Sequence, residues 1–387
     1  MLQLTTLFFL KKKLHILFLC SWYPSRVLPT NGDFIQRHAE AVSLLHKVTV
    51  LHIISDKKSR KKTTIVFRKI NDVRTYIGYI KYSKNPIIKY YRFFSVYKKI
   101  LKSINKIDLV HLNVLYPFGV FALHLKWVYK LPYIISEHWT GYLYPQNRTI
   151  GFIKKTVSKI ITKKASFVCP VSNLLGKSMQ EIKLFGNYKT IANTVNTVIF
   201  KPINKKETQF TILHISSMLD KHKNISDMLR AAKILENTIG FFTWKFIGGN
   251  MKNYEPLINE LQFTKATIIF MKHISQKKLI AHIQKSHLLV SFSNYETFGI
   301  TIIEAIACGV PVIATNTGVA RNSFLKNYCI TTPLKDIDSL NNHIVEVKKK
   351  ASKNPKERHQ FVVDNFSNMV IAKKLSTLYY KTLSQIS

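Results

Sequence analysis

Apolar residues along the chain fall into short continuous runs separated by stretches with helical spacing. "LHILFLC" (14–20) is apolar throughout but for His15, the signature of a strand buried on both faces. "FIQRHAEAVSLLH" follows with apolar positions spaced as on one helix face, and "VTVLHI" (48–53) is the next strand. Further strands are expected at "IDLVHLNV" (107–114), "PYIISEHW" (132–139) and "ASFVCPVS" (165–172), and "KKSRKK" (57–62) reads as a solvated loop or edge. The rhythm breaks over 190–210, which is rich in Asn, Thr, Lys and Pro, and reads as a linker. It restarts at "FTILHISS" (210–217), "WKFIGG" (244–249), "ATIIFM" (266–271), "HLLVSFS" (287–293) and "PVIATN" (311–316), and closes with a polar helix around 365–385.

Strands alternating with helices predict an α/β fold with doubly wound parallel sheets, and the central break divides it into two Rossmann-like domains. The expected boundaries are 1–193 and 208–366, with a linker at 194–207 and a terminal helix at 367–387. Ligands of such sheets bind beyond the carboxyl ends of the strands.

The length of 387 residues suits two domains, and 46% hydrophobic residues supply both cores. Cys20, Cys169, Cys308 and Cys329 form no CxxC pair and lie in or beside apolar runs, as reduced buried thiols do. No apolar run reaches 18 residues, so a cytoplasmic protein without a transmembrane helix is expected. Residues 1–13 place their cations after the apolar part, the reverse of a signal peptide. That order favours a leftover upstream start over a small membrane-touching tail. The net charge of +39 would attract any polyanion but is spread over both halves, and no nucleic-acid recognition motif accompanies it.

The chemistry concentrates in "SNYETFGITIIEAIACGVPVIATNTG" (293–318). A strand ends near Ser291–Ser293 and a helix opens at Gly299, so free backbone N–H groups and the helix dipole offer a seat for anionic oxygens, phosphate above all. Phe298-Gly299 lets backbone come close to a ligand. Glu304, on the helix face of Ile300, can accept two hydroxyl hydrogens, as a ribose diol offers. Glu296 precedes the helix, where a group beyond the phosphates would lie. On spacing alone the two glutamates read equally well as helix-start acids.

The stretch resembles the E-x7-E region of retaining glycosyltransferases of family 4, which have the GT-B fold of two Rossmann-like domains facing across a cleft. The resemblance extends over "WYPSRVLPTNGDFIQRHAEAV" (22–42), "PYIISEH" (132–138), "ANTVNTVIFKP" (192–202) and "HKNISDMLRAAKIL" (222–235). It implies that Gly32 faces the donor phosphates, that Lys223 neutralises the leaving diphosphate, and that Gly248 and Gly249 approach the nucleotide. It implies that His273 and Ile274 present backbone to the base, Glu296 bonds the transferred sugar and Glu304 the ribose. His138 would reach the sugar and stabilise charge near the reacting carbon. The pattern departs from the family at Ser217, where an arginine is common, at Thr194-Val195-Asn196, and at Val319 and Asn322.

The implied activity is retaining transfer of a sugar from a nucleoside-diphosphate sugar to a glycan or lipid-linked acceptor, with no cofactor. A nucleotide-sugar epimerase would need extra cleft carboxylates, and the departures at Ser217, Val319 and Asn322 suit a non-catalytic sugar-nucleotide or glycan binder. "DID" (336–338) fits a metal motif formally but reads as a helix start capped by Asp338 or Ser339, so no metal is expected. Finally, 86–106 is helical by period. Tyr90, Phe94, Tyr97, Leu101 and Ile104 share a face beside Lys89, Arg92, Lys98, Lys99 and Lys102. Such a helix suits peripheral contact with an anionic membrane at least as well as packing on the first sheet.

Overall fold

The structure, a computed structural model, describes residues 12–204, 206–249, 251–350 and 354–385. Residues 1–11, most of the unusual opening segment, lie outside the described residues. The chain divides into two units, 1–194 with 368–387, and 195–367. Each is built on one sheet among the described residues.

The first unit contains β1 (His15–Cys20), β2 (Lys47–Asp56), β3 (Thr63–Ile70), β4 (Val73–Lys81), β5 (Leu109–Asn113), β6 (Tyr133–Glu137) and β7 (Phe167–Pro170). Their order is β3-β4-β2-β1-β5-β6-β7. The continuous apolar run of β1 is buried at every residue, as a central parallel strand requires. All neighbours are parallel except β3 and β4, a hairpin absent from the sequence reading. Its two-residue turn, Asn71-Asp72, has both residues at positive φ (46° and 63°), where Asn and Asp are tolerated better than other side chains. Ile65 and Phe67 of β3 stay exposed, so the strand forms without the buried face that makes strands conspicuous.

Segment 86–106 forms a helix over Pro86–Lys102. The aromatic face of this helix is partly internal. Tyr97 and Phe94 stack on Phe121, and Val96, Tyr97 and Ile100 are buried. The helix lies on β4, where a Cβ on Gly78 would fall 2.4 Å from Val96. Only the first half presents apolar groups to solvent, at Ile87, Ile88, Tyr90 and Tyr91. The closing helix, Asn368–Ser384, is less polar in role than in appearance. It buries Ile371, Leu375, Leu378 and Tyr379 in the first unit's core.

The second unit contains β8 (Thr211–Ile215), β9 (Phe242–Ile247), β10 (Ala266–Met271), β11 (Leu288–Ser291), β12 (Val312–Thr315) and β13 (Cys329–Thr332), in the order β10-β9-β8-β11-β12-β13, all parallel. The four-residue β13 is too short to announce itself by period. Trp244, Phe242, Phe246 and Phe292 fill the core, with Phe246 stacked on Phe270 at 4.8 Å. Part of the presumed linker is packed structure: Phe200 is buried and Val195 N–H donates to Phe366 O at 2.9 Å. The cap of helix Ile337–Lys349 is Asp336, two residues ahead of Asp338 and three ahead of Ser339, the caps expected. Its carboxylate accepts from Ser339 N and Oγ at 2.9 and 2.6 Å. All four cysteines are buried free thiols. No helix among the described residues is long and apolar enough to cross a membrane.

The first unit seats neutral histidines between its layers. His46 accepts from Leu14 N–H through Nδ1 (3.3 Å), so its Nε2–H donates to Ser376 Oγ of the closing helix (2.7 Å). His111 joins Tyr379 Oη and Ser136 Oγ, each at 2.8 Å, and His52 Nδ1–H donates to Cys20 O. Burial lowers His38, His46 and His52 from 6.5 to about 4. A histidine whose pKa is lower when folded binds its proton first in the unfolded chain. The stability this confers is complete above pH 6.5 and is lost as pH falls toward 4. Urea midpoints measured across that window are expected to fall steadily with acid, and His46→Gln is expected to flatten the curve. A midpoint constant over the same range would contradict the neutral, structural role of these rings.

Candidate active site

Strands β8 and β11 are neighbours whose crossovers leave toward opposite edges of the sheet, so a crevice opens at their carboxyl ends. Lys223 reaches it from the short helix Asp220–Lys223 after β8, and Glu296 from the loop after β11. Lys223 Nζ donates to Glu296 Oε1 at 2.5 Å, and the same oxygen accepts from Ser293 Oγ at 3.0 Å. Both charged side chains are largely screened, at 19% and 15% exposure.

The two loops are stitched together by backbone. Asn294 N–H donates to His222 O (2.9 Å) and its amide to Lys221 O (3.2 Å), while Tyr295 lies edge-on to His222 at 5.8 Å. Thr315 Oγ1 holds Ser293 O at 2.5 Å from β12. Beneath them, His214 Nδ1–H donates to Val290 O, which leaves Nε2 to accept from Ser216 Oγ (2.8 Å), and Ser216 Oγ accepts from Met218 N–H. Burial holds His214 at about 4, so this relay is neutral and fixed.

Helix Ile300–Ala307 opens behind Gly299, whose φ of 85° sets the turn. Ile302 N–H of its first turn donates to Gly299 O at 3.1 Å, while a helix start leaves its earliest N–H groups without intrahelical acceptors. Phe298 is buried and its carbonyl accepts from Val319 N–H at 2.7 Å, and Ile300 is half-buried at the helix start. Glu304 lies beyond the first turn and is 1% exposed. It is therefore no helix-start acid, which removes the plain alternative for one of the two glutamates. Gly248 closes the turn after β9 at φ 118°, and a Cβ there would meet Ser216 O at 2.2 Å. Gly249 packs on Met218 in the same way. Protein backbone alone thus requires glycine at 248. His273 is exposed and Ile274 half-buried in the loop after β10.

In the first unit, Gly32 (φ 78°) caps the helix Asp33–Ser43. Its absent Cβ would lie 2.8 Å from Trp22 C, so the turn needs glycine before any ligand is considered. His138 follows β6, 5% exposed, against Phe34 at 4.5 Å and His38 at 5.6 Å. Neither ring nitrogen has a protein partner. Burial, together with His38 and His111, pushes its pKa well below 6.5, so the ring is uncharged. It can bond a hydroxyl but carries no positive charge to set beside a reacting carbon.

The sequence reading overlooked Glu137, although an acid beside a histidine at a strand end was visible. It is fully buried and accepts from Leu115, His138 and Trp139 N–H at 2.8–2.9 Å, which fixes the His138 loop. Gly318 was overlooked as well. A Cβ there would fall 2.5 Å from Phe298 O and 2.9 Å from Glu296 Cβ. Of the departures, Ser217 stands exposed at the end of β8, Val319 is buried and Asn322 is half-buried.

Two Rossmann-like units, with a Lys–Glu pair at the switch point of the second, define the class: a GT-B glycosyltransferase fold. The chain belongs to the family 4, group 1 glycosyltransferases. The model "Glycosyltransferase Family 4" matches residues 35–198 and "Glycosyl transferases group 1" matches 195–363. A relative, an uncharacterized 41.2 kDa protein in the cps region of Klebsiella pneumoniae, is 25% identical over 57% of this chain and 64% of its own length. An uncharacterized glycosyltransferase of Methanocaldococcus jannaschii is 25% identical over 58% and 60%. The chain thus spans less than two thirds of the curated relatives it matches. Among solved structures, the sucrose-phosphate synthase of Thermosynechococcus elongatus superposes with a TM-score of 0.77 at 18% identity, over 96% of this chain and all of that one.

Partly exposed ion pairs contribute about 0–1 kcal/mol. Glu296→Gln is therefore expected to change unfolding free energy by no more than about 1 kcal/mol. Chemical denaturation would check this, and a much larger loss would make the pair a structural clasp.

Proposed function

We propose that the protein transfers a sugar from a nucleoside-diphosphate sugar to an acceptor hydroxyl, with retention at the anomeric carbon and without a metal ion. The acceptor is a glycan or lipid-linked glycan of cell-envelope, lipopolysaccharide or glycolipid synthesis, met at a membrane surface through peripheral contact by the helix within 86–106. The observation that carries this reading is the Lys223–Glu296 pair beside the opening of helix Ile300–Ala307. A diphosphate arriving there would meet N–H donors and one ammonium, enough to hold a doubly charged leaving group.

The assigned roles follow from chemistry at each position. Lys223 releases Glu296 when the diphosphate takes over its charge, and Glu296 is then free to accept hydroxyls of the transferred sugar. Glu304 accepts the ribose diol, while Gly248 and Gly249 leave space for the nucleotide and His273-Ile274 for the base. His138, neutral and unpartnered, donates or accepts one hydroxyl hydrogen bond. The leaving phosphate takes the acceptor proton on the same face as the bond that breaks, so no protein nucleophile is required. A UDP complex of an Anabaena protein with the same fold (TM-score 0.68, 15% identity) supports a uridine nucleotide as the first donor to try.

A second reading, a sugar-nucleotide binder without turnover, draws on Ser217, exposed where the family commonly carries a phosphate-binding arginine. Thermal shifts with UDP-, GDP- and ADP-sugars separate the outcomes. One nucleotide class should raise the melting temperature, and Glu304→Ala should abolish the shift. Lys223→Ala should lower kcat/KM for donor hydrolysis about 10²–10³-fold. Binding without hydrolysis would favour the second reading, and no shift from any nucleotide sugar would reject both.

A further inference from the structure

We propose that Arg26, Ser55, Lys57, Lys58 and Tyr82 form a phosphoryl-binding subsite at the carboxyl edge of the first sheet. It selects an acceptor that bears a phosphate group away from the hydroxyl receiving the sugar. This deepens the acceptor side of the reading above and rests on it for the transfer itself. The binding of phosphate stands on its own observations.

The first observation is a cavity of about 500 Å³, lined by Arg26 from the loop after β1, by Ser55, Asp56, Lys57 and Lys58 at the end of β2, and by Tyr82 after β4. It lies at the strand ends where parallel sheets take ligands, and its volume falls within the ~300–1,000 Å³ of small-molecule sites. "KKSRKK" read as a solvated stretch in the sequence. The structure turns its first two lysines to the cavity and leaves Lys61 and Lys62 outside the lining.

The second observation is how the lining spends its charges. Its one acid, Asp56, faces three cations. Arg26 Nε and Nη2 donate to Asp56 Oδ2 at 3.0 and 2.8 Å, and Lys58 N–H donates to Oδ1 at 2.8 Å. The guanidinium is thereby fixed over the ring of Tyr79, 3.8 Å from its centroid, while Nη1 has no protein partner among the described residues. Lys57 and Lys58 are exposed, and the Lys57 ammonium stands 5.4 Å from the centroid of Tyr82. Ser55 Oγ is buried and also has no protein partner among the described residues. Two uncompensated positive charges beside an oriented guanidinium suit a phosphate dianion better than a carboxylate. Tyr82, exposed at the same cavity, supplies a wall for a sugar ring. β2 is three strand spacings, about 14 Å, from β6, which ends beside His138. The phosphate therefore belongs to the far end of the acceptor. Its source is a phosphorylated saccharide or the diphosphate that joins a glycan to a lipid carrier.

The test is titration calorimetry of the full chain with lactose 1-phosphate, with lactose, and with lactose joined through a diphosphate to a short isoprenyl chain. Both phosphorylated probes should bind and lactose should not. Tighter binding of the isoprenyl compound would name the linking diphosphate as the source, and equal binding the phosphosaccharide. K57Q/K58Q should weaken the phosphorylated probes about tenfold or more, whereas K61Q/K62Q, which removes the same charge outside the cavity, should change them by less than about twofold. Both variants alter exposed groups, so unchanged melting temperatures and donor-induced shifts show that folding and the donor site are intact. Equal weakening by the two variants would overturn the proposal and leave the net charge as the cause. Binding of lactose as tight as that of its phosphate, or no binding of either phosphorylated probe, would overturn it as well. These outcomes are read without donor, so a failed donor panel would reject the transfer reading and leave the phosphoryl site standing.

Discussion

Parallel pairing of β8 with β11 is the constraint on which the site depends. A parallel pair cannot be closed by a tight turn, so each strand must leave by a crossover, and here the crossovers depart to opposite sides. The loops after the two strands are left facing each other with unsatisfied backbone. They are closed by Asn294 on His222 and Lys221, and by Lys223 on Glu296. Beneath, the neutral His214 ties β8 to Val290 of β11. The charged pair thus sits on a rigid neutral floor, and its own small contribution to stability leaves it able to exchange partners.

The scarcity of acids makes their placement informative. The chain has 20 Asp and Glu against 59 Lys and Arg, and two of its buried acids, Glu137 and Glu236, are anchors for loops. Glu137 gathers three N–H groups around His138, and Glu236 gathers those of Thr264, Lys265 and Ala266 with Lys233. Glu236 is held down near 2 by those bonds against its burial, whereas burial prevails at Glu137 and raises it. Glu296 differs from both: its partners are a lysine and a serine side chain, which a ligand can replace, whereas backbone donors cannot leave.

How much of this was legible in sequence follows from what each signal measures. Continuous apolar runs report burial on both faces, so β1, β5, β6 and the strands of the second unit except β13 stood out, most clearly β10, whose limits coincide with "ATIIFM". The β3–β4 hairpin did not, because β3 is an edge with Ile65 and Phe67 in solvent and lysines at its ends. Periodicity read a helix over 86–106, found over Pro86–Lys102, but left open whether its aromatic face packs on the sheet or meets a membrane, since a stripe of aromatic residues looks the same whether a sheet or solvent lies beneath it. Glu296, Lys223 and Glu304 were found through a motif. Gly318 and Ser293, which shape the same loop, carry no chemistry of their own and became visible only through the contacts a Cβ or a hydroxyl makes.

The state of His138 narrows what the first unit can contribute. A histidine wedged between Phe34 and His38, with no carboxylate at either nitrogen, is held well below the usual imidazole range by burial and is neutral near pH 7. Glu137 lies next in sequence, yet it spends its oxygens on backbone N–H groups and so orients the ring without charging it. An imidazolium would also suffer from His38 and His111 close by, each of which lowers the pKa further. In the proposed reading, positive charge toward a leaving diphosphate is therefore assigned to Lys223 and backbone N–H groups, and the histidine's part is directional: one hydrogen bond, given or accepted.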